Sequence, residues 1–323
     1  MRFKRMLAGL GLAGLCAVPL VGQAAQDWPA RPVTVVIPYP AGGAADVVAR
    51  IVLNELAKSL GQPFIAEPKP GANSNIAAES VARAQPDGYT LLISGPWFAI
   101  NQYVETGRRW DPGSLRPVAR FALTDNMLVV PGDSPFQNLA DYVALARGRT
   151  DPPLQYGSPG TGSTQRMAAE LFLGQAGINV ESVQYKGAPP IIPDLVSGRL
   201  SMAVLAAGNV TALVGSGKLK GLATFGETRG PNTPAIATMT EQGYPEAVVT
   251  SWFGLHAPSG TPDAIVQRLS RSLQQVMAQP DIRAALQAAD AQAAFLGTRE
   301  FAQYILHEQS RWKDVAANLK DGQ

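Results

Sequence analysis

Two turns of the same construction constrain this chain most. Tyr39-Pro40-Ala41-Gly42-Gly43-Ala44-Ala45-Asp46 and Gly157-Ser158-Pro159-Gly160-Thr161-Gly162-Ser163-Thr164 each follow a short apolar run and each lead into an amphipathic helical pattern. A strand that hands over to a helix through glycines and hydroxyls leaves several backbone N–H groups free and pointing one way. One such turn is a weak anion site. Two of them, in what read as separate α/β lobes, point to a small acidic molecule held in a cleft.

The surrounding pattern alternates strand and helix. Val33–Ile37 is β-branched, as in a buried strand. Val47, Ile51, Val52, Leu56 and Leu60 form one helical stripe that Gly61 stops. Phe64–Ala66 and Tyr89–Ser94 read as further strands, with a helix between them capped by Asn73 or Ser74 and running to Arg83. Phe121–Val130 is a long apolar crossing segment, after which the alternation resumes through strands at 154–156, 183–185, 202–205 and 222–224. Trp252–Ala257 is a second crossing segment, and the rest reads as helix. The repeated βαβ order predicts mostly parallel sheets flanked by helices. The simplest architecture has residues 25–124 with 253–323 as lobe one, 125–252 as lobe two, and the two crossing segments as a hinge.

Residues 1–24 read as a signal peptide for the general secretory route. Arg2, Lys4 and Arg5 precede an uncharged run from Met6 to Val21, and Gly22-Gln23-Ala24 sets the cut before Ala25. The run is shorter than the ~20 residues that span a bilayer. Without it, 27 basic residues fall by three to 24, against 25 acids, so the mature chain is near neutral and offers no basic tract for nucleic acid. Cys16 is the only cysteine and leaves with the leader. The mature chain therefore relies on its core, and it is long enough to bury about 75% of the unfolded surface.

Catalysis finds little support. Only two histidines are present, His256 and His307, and the chain has no Gly-X-Ser-X-Gly elbow, no phosphate-loop lysine motif and no dinucleotide fingerprint. No metal site or cofactor is expected.

The quoted residues, in order, resemble the periplasmic receptors of tripartite tricarboxylate transporters, the Bug receptors. Trp28-Pro29, Pro40-Ala41-Gly42-Gly43 with Asp46 and Arg50, Pro70-Gly71-Ala72, Pro86-Asp87-Gly88-Tyr89, Tyr156 to Ser163, Tyr185-Lys186-Gly187 and Trp252-Phe253-Gly254 carry the resemblance. It implies a type II periplasmic-binding fold, a small carboxylate captured in the periplasm by lobe closure, a monomer, and delivery to a large and a small membrane subunit. The chain departs from the family at Asn73-Ser74-Asn75, where glycines are usual, and at Gln184, where proline is usual.

Candidate contacts in lobe two are Ser158, Thr161, Gly162, Ser163 and Thr164 at the helix entry, with Tyr185 at a strand end. Lobe one offers Tyr39, the Ala41 and Gly42 backbone, Ser74, and Trp97 and Phe98, the last two as ligand packing or as core. Asp46 reads as a cap or hinge acceptor, because an acid would repel a carboxylate. The helix cap falls on Ser163 or Thr164. Alternatives are the same fold presenting its ligand to a membrane sensor, and a secreted α/β hydrolase.

Overall fold

The structure is a computed structural model that describes residues 28–320 apart from 106, 150 and 151, with side chains to 316. The signal peptide lies outside the described residues. In chain order the elements are β1 (Val33–Ile37), α1 (Ala44–Leu60), β2 (Phe64–Pro68), α2 (Asn75–Ala82), β3 (Thr90–Ser94), α3 (Trp97–Val104) and β4 (Leu115–Pro131). Then come α4 (Leu139–Gly148), β5 (Leu154–Ser158), α5 (Thr164–Ala176), β6 (Val180–Gln184), α6 (Ile191–Val196), β7 (Met202–Ala206), α7 (Ala207–Gly215) and β8 (Leu219–Thr224). The chain closes with β9 (Thr250–Pro258), α8 (Asp263–Ala278), α9 (Pro280–Ala288), β10 (Ala291–Leu296) and α10 (Thr298–Lys320).

The strands run β2-β1-β3-β9-β4-β7-β5-β6, with β10 and β8 also on β4. β1, β2 and β3 pair in parallel, as do β5, β6 and β7. The crossing strands β9 and β4 join these two sets antiparallel. β4 changes partner midway: Leu115 to Asp125 lie along β9, and Asn126 to Val129 along β7. One 17-residue strand therefore serves both halves.

Each half has its own apolar core. Val48, Val52 and Leu56 of α1 meet Val35, Ile37 and α8 in the first. Tyr156, Phe172 and Val204 centre the second. Trp312, near the end of α10, belongs to that second core, together with Ala99 and Ile100 of α3. The segment after 253 thus does not serve lobe one alone. α10 is a third tie between the halves, held by Arg311 donating to the Val248 carbonyl at 2.6 Å.

Two elements were not read from the sequence, α3 and β10. α3 begins at Trp97 and buries its first five residues, so apolar content masks its helical period. β10 is an edge strand in which three of six residues are alanine, with weak β preference, and is held by pairing with β4. The helix expected from Asn73 or Ser74 starts at Asn75, with Ser74 in the cap position at φ 74° and no side-chain cap bond.

Candidate functional site

A cleft between the two sets of parallel strands contains two connected compartments that share Tyr39, Pro40, Pro96, Pro159, Ser163, Thr164 and Gly187. The hinge-side compartment, about 90 Å³, reaches the crossing strands at Thr124, Ser251, Trp252 and Phe253. The distal compartment, about 200 Å³, is walled by Gly71 to Ser74 and Trp97 on one side and by Gly160, Gly162 and Tyr185 to Gly187 on the other. This is where ligands sit in open α/β sheets, beyond the carboxyl ends of parallel strands.

Both helix entries meet in the hinge-side compartment. Gly43, Ala44 and Ala45 at the start of α1 line it, as do Ser163, Thr164 and Gln165 at the start of α5. Ser163 is the N-cap of α5: its Oγ accepts from the Arg166 N–H at 3.2 Å and donates to the Gly160 carbonyl at 2.7 Å. Among the described residues the N–H groups of Thr164 and Gln165 have no protein acceptor, as expected of a helix first turn. The hinge fixes that turn. Thr164 Oγ1 and Ser251 Oγ are 2.6 Å apart, and the buried Asn126 side chain accepts from Gln165 Nε2 and donates to the Val249 carbonyl. The α1 entry is fixed from across the cleft, its Ala44 N–H donating to Asn209 Oδ1 at 2.9 Å.

Among the described residues no Asp or Glu lines either compartment, and Lys186 is the only charged one that does. Two partial positive helix ends thus face the hinge-side compartment. Asp46 is turned away. It is the third residue of α1 rather than its cap, which is Gly43; its carboxylate accepts from the Gly42 N–H at 3.0 Å and from Arg50. Burial pushes its pKa up, but these hydrogen bonds outweigh it and hold the carboxyl below the usual range.

A clasp closes the two sides over the distal compartment. Asn73 Nδ2 donates to Thr161 Oγ1 and to Glu105, and the Thr161 hydroxyl also donates to Glu105. Asn101 Nδ2 holds the Asn73 carbonyl at 2.6 Å. Ala72, Asn73 and Ser74 all take positive φ, at 45°, 49° and 74°. Such a run costs energy for residues with a Cβ. It is held by the Asn101 bond and by Trp110 Nε1 donating to Asn75 Oδ1 at 2.8 Å.

Of the residues singled out from sequence, Tyr39, Ser74, Trp97, Gly162, Ser163, Thr164 and Tyr185 line the compartments. Five stand outside the lining. Ala41 and Gly42 are exposed, because the Asp46 carboxylate draws the Gly42 N–H towards α1. Phe98 points into the core against Trp110 and His256. Ser158 is fully buried beneath the turn, its carbonyl accepting from the Tyr185 N–H. Thr161 is spent in the clasp. Asn209, Ser251, Thr124, Gln165 and Glu105 were missed. They are isolated polar residues on ordinary elements, with no motif around them.

Two α/β halves, joined by crossing strands around a cleft that gathers helix N-termini, define a bilobal periplasmic solute-binding protein. The chain belongs to the tripartite tricarboxylate transporter family of receptors, whose profile matches residues 48–320. It is 29% identical to the protein BugT of Bordetella pertussis over 99% of this chain and 100% of the relative. It is 33% identical to the UPF0065 protein in the gbd 5′ region of Cupriavidus necator over 99% and 98%. Among solved structures, R. palustris Rpa4515 with adipate superposes with a TM-score of 0.85 at 31% identity, covering 90% of this chain and 97% of the other. MatC from Rhodopseudomonas palustris with bound malate superposes with a TM-score of 0.83 at 30% identity, covering 90% and 100%.

Proposed function

We propose that this protein captures a small carboxylate between its lobes and presents it to the large and small membrane subunits of a secondary transporter. The observation that carries this reading is the convergence of the α1 and α5 entries on one compartment that no acidic side chain lines. A carboxylate there takes hydrogen bonds from helix N–H groups whose partial charge favours an anion. Adipate and malate in the two similar structures support the same class of ligand. Lobe one is then 25–124 with 253–323, its α10 also packing on the second core, lobe two is 125–252, and β4 and β9 act as the hinge. The protein binds without transforming its ligand, as a periplasmic monomer whose signal peptide is removed before Ala25.

The test is calorimetry on protein unfolded and refolded to remove carried-over ligand, against a panel of mono-, di- and tricarboxylates. At least one acid binds and raises the unfolding temperature. Silence across the panel would end this reading. N-terminal sequencing of the exported protein starts at Ala25 if the leader is cut as read.

A further inference from the structure

Resting on that reading, we infer that the Asn73 side chain is an end stop that limits how long a ligand this receptor accepts. The backbone already singles the residue out. Ala72, Asn73 and Ser74 stand at φ 45°, 49° and 74°, a region that favours glycine, yet all three carry a Cβ. A glycine at position 73 would make the same turn with less strain. The strain is kept for what the side chain does.

Its neighbours define that task. Asn73 lines the distal compartment but not the hinge-side one. Its amide reaches across the cleft to Thr161 and to Glu105, neither of which lines either compartment. The amide thus stands between the cavity and those two residues, at the end away from the crossing strands. The facing wall comes up to it just as tightly. A Cβ built on Gly160 lies 2.5 Å from Asn73 Oδ1, so the two sides touch and leave no gap through which a chain could pass. A ligand anchored at the α5 turn meets Asn73 with its far end. An acid that fills both compartments is the longest that lets the clasp form. One that reaches further has to break the clasp or bind with the lobes ajar. A longer dicarboxylate would also meet the like charge of Glu105 behind the stop.

The test is calorimetry with two straight-chain series, succinate to sebacate and butyrate to decanoate. It compares the wild type, Thr161→Val, and Asn73→Gly combined with Glu105→Gln. In the wild type, affinity falls at least about tenfold when the best-bound acid is lengthened by about two methylenes. The double variant loses that step. Its longer acids bind within about twofold of the best one, while the shorter ones weaken several-fold with the clasp gone. Thr161→Val weakens the clasp but leaves the stop, so it lowers all affinities alike and keeps the step. Thermal unfolding without ligand checks the fold, and glycine suits the φ of 49° at position 73. A double variant that keeps the step overturns the inference. So does a Thr161→Val protein that loses it, or a wild type that binds long acids as well as short ones. In each of those cases an acid still binds, so the proposed function survives. A wild type that binds no member of either series also overturns the inference, and the wider panel of acids then decides the proposed function on its own.

Discussion

Oδ1 of Asn101 sits over Gly162 so closely that a Cβ on Gly162 would lie 1.7 Å from it. The two residues come from opposite sides of the cleft, α3 and the turn before α5, and Oδ1 is buried with no hydrogen-bond partner among the described residues. Gly160 is in the same position relative to Asn73, with a built Cβ 2.5 Å from Asn73 Oδ1. The glycines of this turn are therefore required by the approach of the other lobe as well as by any ligand.

Gly162→Ala accordingly leaves each lobe folded but blocks the last step of closure. The variant loses at least about tenfold in ligand affinity, or 1.4 kcal/mol. Calorimetry reads the affinity and thermal unfolding without ligand reads the fold. Asn101→Ala removes the obstructing oxygen, so the double variant recovers part of the loss. Full affinity in the single variant would mean that the lobes close some other way.

The Asn73–Thr161–Glu105 clasp exists only when the halves meet. Thr161→Val removes one hydroxyl that both donates and accepts in it. The closed form loses about 1 kcal/mol. Ligand leaves several-fold faster while the arrival rate holds, a split that stopped-flow fluorescence from Trp97 resolves. An unchanged off-rate excludes the clasp as a determinant of closure.

Asp46 serves stability rather than binding. Its folded-state pKa is depressed, so its contribution is in force above the ordinary carboxylate range and fades as pH falls through the folded value. Asp46→Asn destabilises the protein by about 1 kcal/mol at pH 7. Denaturant titrations at pH 7 and near pH 3 should show the wild-type advantage shrinking at the lower pH. Its persistence there would show that charge is not the cause.

His256 loses stability in the same direction, through burial rather than pairing. It is fully buried, with Nδ1 2.8 Å from Ser94 Oγ and Nε2 without a partner among the described residues, and burial lowers its pKa to about 3. The unfolded histidine takes up a proton near pH 6.5 that the folded one refuses. Stability therefore falls as pH drops from that value towards 3, by up to about 1.4 kcal/mol per pH unit. His256→Gln flattens this slope between pH 6.5 and 4.5 in urea titrations. Ligand affinity shows no His256 step near pH 6.5, since the ring stays neutral.

Much of the lobe architecture was legible because period and punctuation coincide. The β-branched run of β1, the stripe of α1 and Gly61 at its end are all local signals. The two helix entries were legible for the same reason: glycines and hydroxyls between a strand and a helix have few other uses. Side-chain direction within those turns was not. Whether Gly42 faces ligand or its own helix depends on the Asp46 carboxylate one turn on, and whether Trp97 or Phe98 lines the cleft depends on how α3 seats against α10.

The sequence by itself determined most of the elements, the two helix starts rich in glycine and hydroxyls, and the family, because hydrophobic period, caps and turn residues act within a few positions of chain. Only the tertiary structure decided which donors share a compartment and that Asn73, Glu105 and Thr161 clasp across it. Those facts join residues distant along the chain, and their energies depend on distances and burial that exist only after β4 and β9 have brought the two halves together.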